Sequence, residues 1–204
     1  MYDAIVFDLD GTLWDASKSS TIGWNNGLKS LNIDRSITVD DMKSVTGKPI
    51  QECLRILFPR ELSRHPSLLT VLSQYEEDSI KNSGGELFDQ LHGTIQYLSK
   101  KVDLFLVSNC QQWYLEVFLA SSGLQQHFKG INCNGISNKS KYEMLVQFKE
   151  NYQFRNPLYV GDTEGDEMSA KKAGYAFAFA RYGFGQAKEP DISIKSFADL
   201  MAVI

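Results

Sequence analysis

Four short apolar runs punctuate the chain, and each stops abruptly in small or polar residues: AIVF before Asp8, LFLV before Ser108, LYV before Gly161-Asp162, and AFAF before Ala180-Arg181. Runs of this length without polar alternation suit strands buried on both faces. Between them lie stretches with apolar residues spaced three and four apart, at 91–98, 113–119, 142–148 and 167–173, which predict helices. Strands alternating with helices imply a parallel, doubly wound α/β sheet of Rossmann-like type. In that architecture ligands bind beyond the carboxyl ends of the strands, so the polar residues that end the runs are expected to gather at one site.

Residues 16–86 carry no comparable strand pattern and are far too long for an ordinary connection, which takes about 2–6 residues. They read as an inserted helical cap, with residues 1–15 and 87–204 forming the core. Within the insertion, Asp40-Asp41 is placed to cap a short helix, Pro49 to open a helix over 50–58, and residues 68–80 to form another. Asn82-Ser83-Gly84-Gly85 reads as the hinge back to the core.

Composition changes the picture only modestly. The 204 residues, 43% hydrophobic and 23% charged, suffice for one well-buried domain with a small appendage. No apolar run approaches the ~20 residues of a membrane span, and the acidic opening MYDAIVFDLD reads as a buried strand rather than a secretion signal. Cys53, Cys110 and Cys133 lack disulfide or zinc spacing and are expected to be reduced thiols of a soluble, cytoplasmic protein. A net charge of -4 without a basic stripe argues against a nucleic-acid partner.

The chemistry collects at the run ends. Asp8 and Asp10 stand two apart at a strand's exit and so share a side, while Leu9 faces the core. Two carboxylates in one pocket repel unless a cation intervenes, and Mg²⁺ prefers such oxygen ligands. Gly11 allows a sharp turn. Ser108-Asn109 before a helix offers a hydroxyl and free amides to an anion. Asp162 and Asp166 lie one turn apart after the third run, where both can face a metal. Lys139 and Lys141 stand near a helix start, and periodicity does not choose between them.

Asp8-Leu9-Asp10-Gly11-Thr12, Ser108, Lys141 and Gly161-Asp162-Thr163 with Asp166 together resemble the four motifs of the haloacid dehalogenase superfamily, over the whole chain. The insertion is similar to the C1 cap of phosphoglycolate phosphatase-like members. The resemblance implies a Mg²⁺-dependent phosphatase acting on a small phosphorylated metabolite through an aspartyl-phosphate on Asp8, with Asp10 as general acid/base. It implies that Asp8, the Asp10 carbonyl, Asp162 and Asp166 hold the metal, and that Thr12, Ser108, Asn109 and Lys141 bind the phosphoryl group. Asp10 separates the chain from the dehalogenase branch, which lacks that aspartate, and from the P-type ATPase branch, which has threonine there. A phosphomutase of the β-phosphoglucomutase type and a phosphate-responsive binding protein without turnover share the same residues and remain alternatives. Lys48, within Gly47-Lys48-Pro49, stands where capped relatives place a specificity loop. Trp14, Trp24 and Tyr75 are read first as core packing and second as cavity lining. A monomer or a homodimer is expected.

Overall fold

A computed structural model describes residues 2–204. In chain order its elements are β1 (Ala4–Phe7), β2 (Trp14–Asp15), α1 (Ser17–Ser30), α2 (Val39–Val45), α3 (Ile50–Leu57), α4 (Pro59–Arg64), α5 (Leu68–Ser83), β3 (Glu86–Leu87), α6 (Leu91–Leu98), β4 (Asp103–Ser108), α7 (Gln112–Ser122), β5 (Phe128–Cys133), α8 (Asn134–Ser137), α9 (Lys141–Tyr152), β6 (Pro157–Gly161), α10 (Glu164–Lys172), β7 (Ala176–Ala180), β8 (Ile192–Ile194) and α11 (Leu200–Val203).

Six strands form one parallel sheet in the order β5-β4-β1-β6-β7-β8. The four apolar runs are its inner strands. Alternation along β1 sends Ile5 and Phe7 to one face, against α6, α7 and α11, and Ala4 and Val6 to the other, against α9 and α10. The chain leaves β1 toward β4 and later returns to β6 on its other side, so the strand order reverses at β1. Register puts Phe7 beside both Leu106 and Val160, which aligns Asp8 with the exits of β4 and β6. A crevice at that reversal is where such sheets bind ligands.

Two strands of this sheet escape the sequence pattern, as do the two-residue strands β2 and β3. β5 (FKGINC) has exposed and half-buried positions along its middle, and β8 is three residues long, so neither presents an apolar run. The short helix expected behind Asp40-Asp41 is α2, but its cap is Thr38: the Thr38 hydroxyl accepts from the Asp41 amide while the Asp41 carboxylate accepts from the Thr38 amide.

Helices α1–α5 surround an apolar cluster of their own, including Trp24, Leu28, Met42, Leu54, Phe58, Leu68 and Leu72. The chain enters this helical unit through β2 and leaves through β3, which pair antiparallel, Trp14 with Leu87 and Asp15 with Glu86. At the exit α5 ends on Gly84, whose φ of +67° suits glycine. No helix among the described residues is long and apolar enough to cross a membrane.

One buried bond ties the inner strands together behind the site. Tyr159 on β6 is fully buried, and its hydroxyl donates at 3.0 Å to the Val107 carbonyl on β4, one residue before Ser108. Tyr159→Phe keeps the ring and leaves that carbonyl without this partner. The expected outcome is a stability loss of about 1–3 kcal/mol in chemical denaturation with the m-value unchanged.

Candidate active site

Asp8 is still held by the sheet, its amide donating to the Val160 carbonyl at 2.9 Å. The chain then turns tightly: the amides of Thr12, Leu13 and Trp14 all reach the Leu9 carbonyl, at 3.2, 2.8 and 3.3 Å. Leu9 is buried in the core, but the acids on either side do not share a side as strand alternation predicts, because β1 ends at Phe7 and the turn separates them. Asp8 faces Asp162, Asp166 and Lys141, whereas Asp10 accepts a hydrogen bond from the Tyr114 hydroxyl and lines a cavity between the sheet and the helical unit.

Of the two lysines that periodicity left equivalent, Lys141 stands in the acidic cluster. It is 3% exposed, and its Nζ lies 2.9 Å from Asp8 Oδ1 and in closer contact with Asp166 Oδ1. Lys139 instead donates to Gln147 Oε1 at 2.8 Å, away from the cluster. Ser140 caps α9 through a reciprocal bond with Glu143, and this fixes Lys141 in the first helical turn. Burial disfavours the Lys141 ammonium, but Asp166 and Asp8 outweigh it and hold its pKa well above the ordinary value.

Asp166 is similarly occupied. Its Oδ2 accepts from Thr163 Oγ1 at 2.6 Å and from the amides of Thr163 and Asp162 at 3.0 and 3.2 Å, closing the N-terminus of α10. Asp162 Oδ2 accepts from the Phe184 amide at 2.7 Å. Burial, then Asp166 and Asp8, push the Asp162 pKa well above the carboxylate range. Burial likewise raises Asp8 to about 6 against the pull of Lys141, and raises Asp10 to about 7 against its bond from Tyr114.

Three buried carboxylates thus share one buried ammonium. Asp8 Oδ2 and Asp162 Oδ1 are buried atoms without a hydrogen-bond partner. Oxygens of Asp8, Asp162 and Asp166 lie within 4.8 Å of one another. An all-oxygen donor set with excess negative charge fits a hard divalent cation such as Mg²⁺. Asp10 contributes no side-chain oxygen to this group.

Of the remaining predicted residues, Asn109, Lys48 and Trp24 line the cavity and the others do not. Ser108 is buried at the end of β4, and its Oγ accepts from the Cys110 amide at 3.4 Å. The Asn109 side chain reaches the helical unit, donating to the Gly47 carbonyl at 2.9 Å, while its Oδ1 is buried without a partner. Thr12 is buried and its hydroxyl is unpartnered. Lys48 lines the cavity, but its ammonium is exposed and 3.9 Å from Glu52 Oε1. Among the aromatics, Trp24 lines the cavity, Trp14 is core packed against Tyr114 and Phe118, and Tyr75 is exposed at the surface. Arg181, expected at the rim after the fourth run, is exposed; the segment beyond β7 contributes backbone instead, at Gly183 and Phe184.

Sequence reasoning missed Tyr114 and Glu76, and both carried a signal. Tyr114 shares a helical face with Leu115 and Phe118. Glu76 interrupts the buried stripe Leu68, Leu72, Ile80 at four-residue spacing, where a charge calls for an explanation.

The model of the haloacid dehalogenase-like hydrolase family matches residues 5–180. The chain is similar to the phosphoglycolate phosphatase of Vibrio parahaemolyticus, 23% identical over 225 residues that cover 98% of this chain and 95% of that protein. It also superposes on two solved structures. One is a haloacid dehalogenase-like family hydrolase from Streptococcus pneumoniae, with TM-score 0.85, 20% identity and coverage of 99% and 98%. The other is a predicted phosphoglycolate phosphatase from Haemophilus somnus, with TM-score 0.85, 18% identity and coverage of 99% and 97%.

The glycines around Asp162 give a direct test of the geometry. A Cβ on Gly183 would stand 2.3 Å from Asp162 Cβ and 2.4 Å from the Gly11 carbonyl, whereas one on Gly165 in α10 would meet nothing closer than 3.6 Å. Gly183→Ala is therefore expected to cost about 1–3 kcal/mol. Gly165→Ala is expected to be neutral or to stabilise by up to about 1 kcal/mol. Thermal melts of the two variants check the contrast.

Proposed function

Because the chain belongs to the haloacid dehalogenase-like hydrolase family, we propose that it is a Mg²⁺-dependent phosphatase that hydrolyses a small phosphomonoester through an aspartyl-phosphate on Asp8. The observation that carries this reading is the asymmetry of the two aspartates. Asp8 is paired to a lysine inside an acidic cluster with one oxygen free, while Asp10, two residues on, faces the cavity and a hydroxyl donor. One is set up as a nucleophile and the other as a proton carrier.

In this reading an Asp8 carboxylate oxygen attacks phosphorus as the bond from phosphorus to the leaving oxygen breaks. Asp10 delivers its proton to that oxygen. Water then attacks the mixed anhydride, Asp10 takes back a proton, and inorganic phosphate leaves with Asp8 restored. Lys141 and the Ser108 hydroxyl with the Asn109 amide offset the negative charge of the phosphoryl oxygens, which matters most in the transition state. Asp8, Asp162, Asp166 and the Asp10 carbonyl are the groups that would hold Mg²⁺, which when bound supplies charge neutralisation to the phosphoryl oxygens and the nucleophile.

Residues 16–86 serve as the cap. Asp8 is fully buried and Asp10 8% exposed beneath it, so substrate enters only when the cap lifts, and water is excluded once it settles. The name of the relatives points to phosphoglycolate as the first compound to try.

A panel of small phosphomonoesters should release inorganic phosphate continuously with Mg²⁺ and not in excess chelator. No bisphosphate activator should be needed, which separates the reading from a mutase. Asp8→Asn should lose turnover by on the order of 10⁴-fold or more while its circular dichroism is unchanged. Substantial residual activity in that variant removes Asp8 from the mechanism.

Binding of the metal has its own readout. Mg²⁺ at about 100 times its Kd should raise stability by about 2.7 kcal/mol, seen as a concentration-dependent rise in Tm. The rise should vanish in Asp162→Asn.

A further inference from the structure

Between the cap and the core lies a cavity of about 70 Å³, lined by Asp10 and Asn109 from the core and by Ser20, Trp24, Lys48 and Glu76 from the cap. It has room for a small group only. Asp10 opens into it, so under the phosphatase reading, on which this inference rests, it receives the leaving group.

Glu76 is the unusual member. It is 7% exposed and sits on the apolar face of α5. Among the described residues it has no ion-pair partner; the Trp24 indole donates to its Oε2 at 2.8 Å and the Ser20 hydroxyl lies beside it. A carboxylate buried with only neutral donors is costly, and packing alone would be served better by an apolar residue of similar size. A second acceptor belongs to a residue that lines the same cavity: the Asn109 amide nitrogen is committed to Gly47, leaving Oδ1 buried and unpartnered. The one cation that lines the cavity, Lys48, holds its ammonium at the exposed mouth beside Glu52.

We propose that Glu76, together with Asn109, makes this cavity a receptor for leaving groups rich in hydrogen-bond donors, small amino alcohols or polyols, and that Glu76 disfavours leaving groups bearing a carboxylate. A leaving group with several N–H or O–H donors offers one to the Glu76 carboxylate and another to Asn109. A carboxylate instead meets Glu76 across a small cavity, where like charges repel. The chain would then differ in preference from relatives named for phosphoglycolate.

The experiment compares kcat/KM for phosphoethanolamine, glycerol phosphate and phosphoglycolate, with p-nitrophenyl phosphate as a generic reference, in the native protein and in Glu76→Gln. The variant keeps the size of the side chain and an acceptor for Trp24 while removing the charge. The native protein is expected to favour one of the two donor-bearing esters over phosphoglycolate by about tenfold or more, and Glu76→Gln to shrink that ratio by a similar factor. A larger loss for phosphoethanolamine identifies an amine; a larger loss for glycerol phosphate identifies a polyol. Preference of the native protein for phosphoglycolate overturns the inference and leaves the phosphatase reading standing. An unchanged ratio in Glu76→Gln also overturns it, because that is what a purely structural bond to Trp24 gives. If the variant does not fold, the native ordering alone decides. No turnover of any ester, the generic one included, defeats the phosphatase reading and the inference with it.

Discussion

Asp8 and Asp166 meet the ammonium of Lys141 at the exits of β1 and β6, with Asp162 beside the two acids, and none of the four side chains is more than 3% exposed. Charges buried in this way must be compensated within the protein, because water is not there to do it. Much of the surrounding structure serves that compensation. The capping boxes at Ser140 and Thr163 orient Lys141 and Asp166, the Phe184 amide turns Asp162, and Gly11 and Gly183 leave room for its carboxylate. The accounting stays one positive charge against three negative ones, and that imbalance is the physical argument for a cation.

The same crowding explains why the two motif aspartates behave differently although they stand two residues apart. The turn around the Leu9 carbonyl rotates Asp10 out of the cluster and toward α7, where Tyr114 meets it. The Ser108-Asn109 segment also faces two ways. Its serine is buried at the end of β4, while the Asn109 side chain reaches the helical unit through Gly47.

Legibility in the sequence followed burial. The four inner strands are buried on both faces and announced themselves as apolar runs; β5 and β8, partly exposed or very short, did not. Asp8, Ser108 and Asp162 were readable because a parallel sheet delivers whatever ends its strands to one rim. Lys141 was not separable from Lys139 by spacing, since the difference lies in a cap formed by Ser140 and Glu143 and in contacts 25 or more residues away. Arg181 failed as an expectation because the segment after β7 serves the site through amides and missing side chains, which a search for polar residues overlooks. Glu76 was present as a charge on an apolar stripe; only the folded structure shows that it lines a cavity there.

The pairing of β2 with β3 means that the two ends of the helical insertion are held together, Asp15 just before it standing opposite Glu86, its last residue. To the core, the insertion is a very long hairpin loop whose ends are already joined. Closing a loop costs little more when the loop is longer, about 0.6 kcal/mol for each doubling of length. The core's stability is therefore nearly blind to what is strung between these two strands, and the insertion is free to be lengthened, trimmed or exchanged while the chemistry beneath it stays fixed.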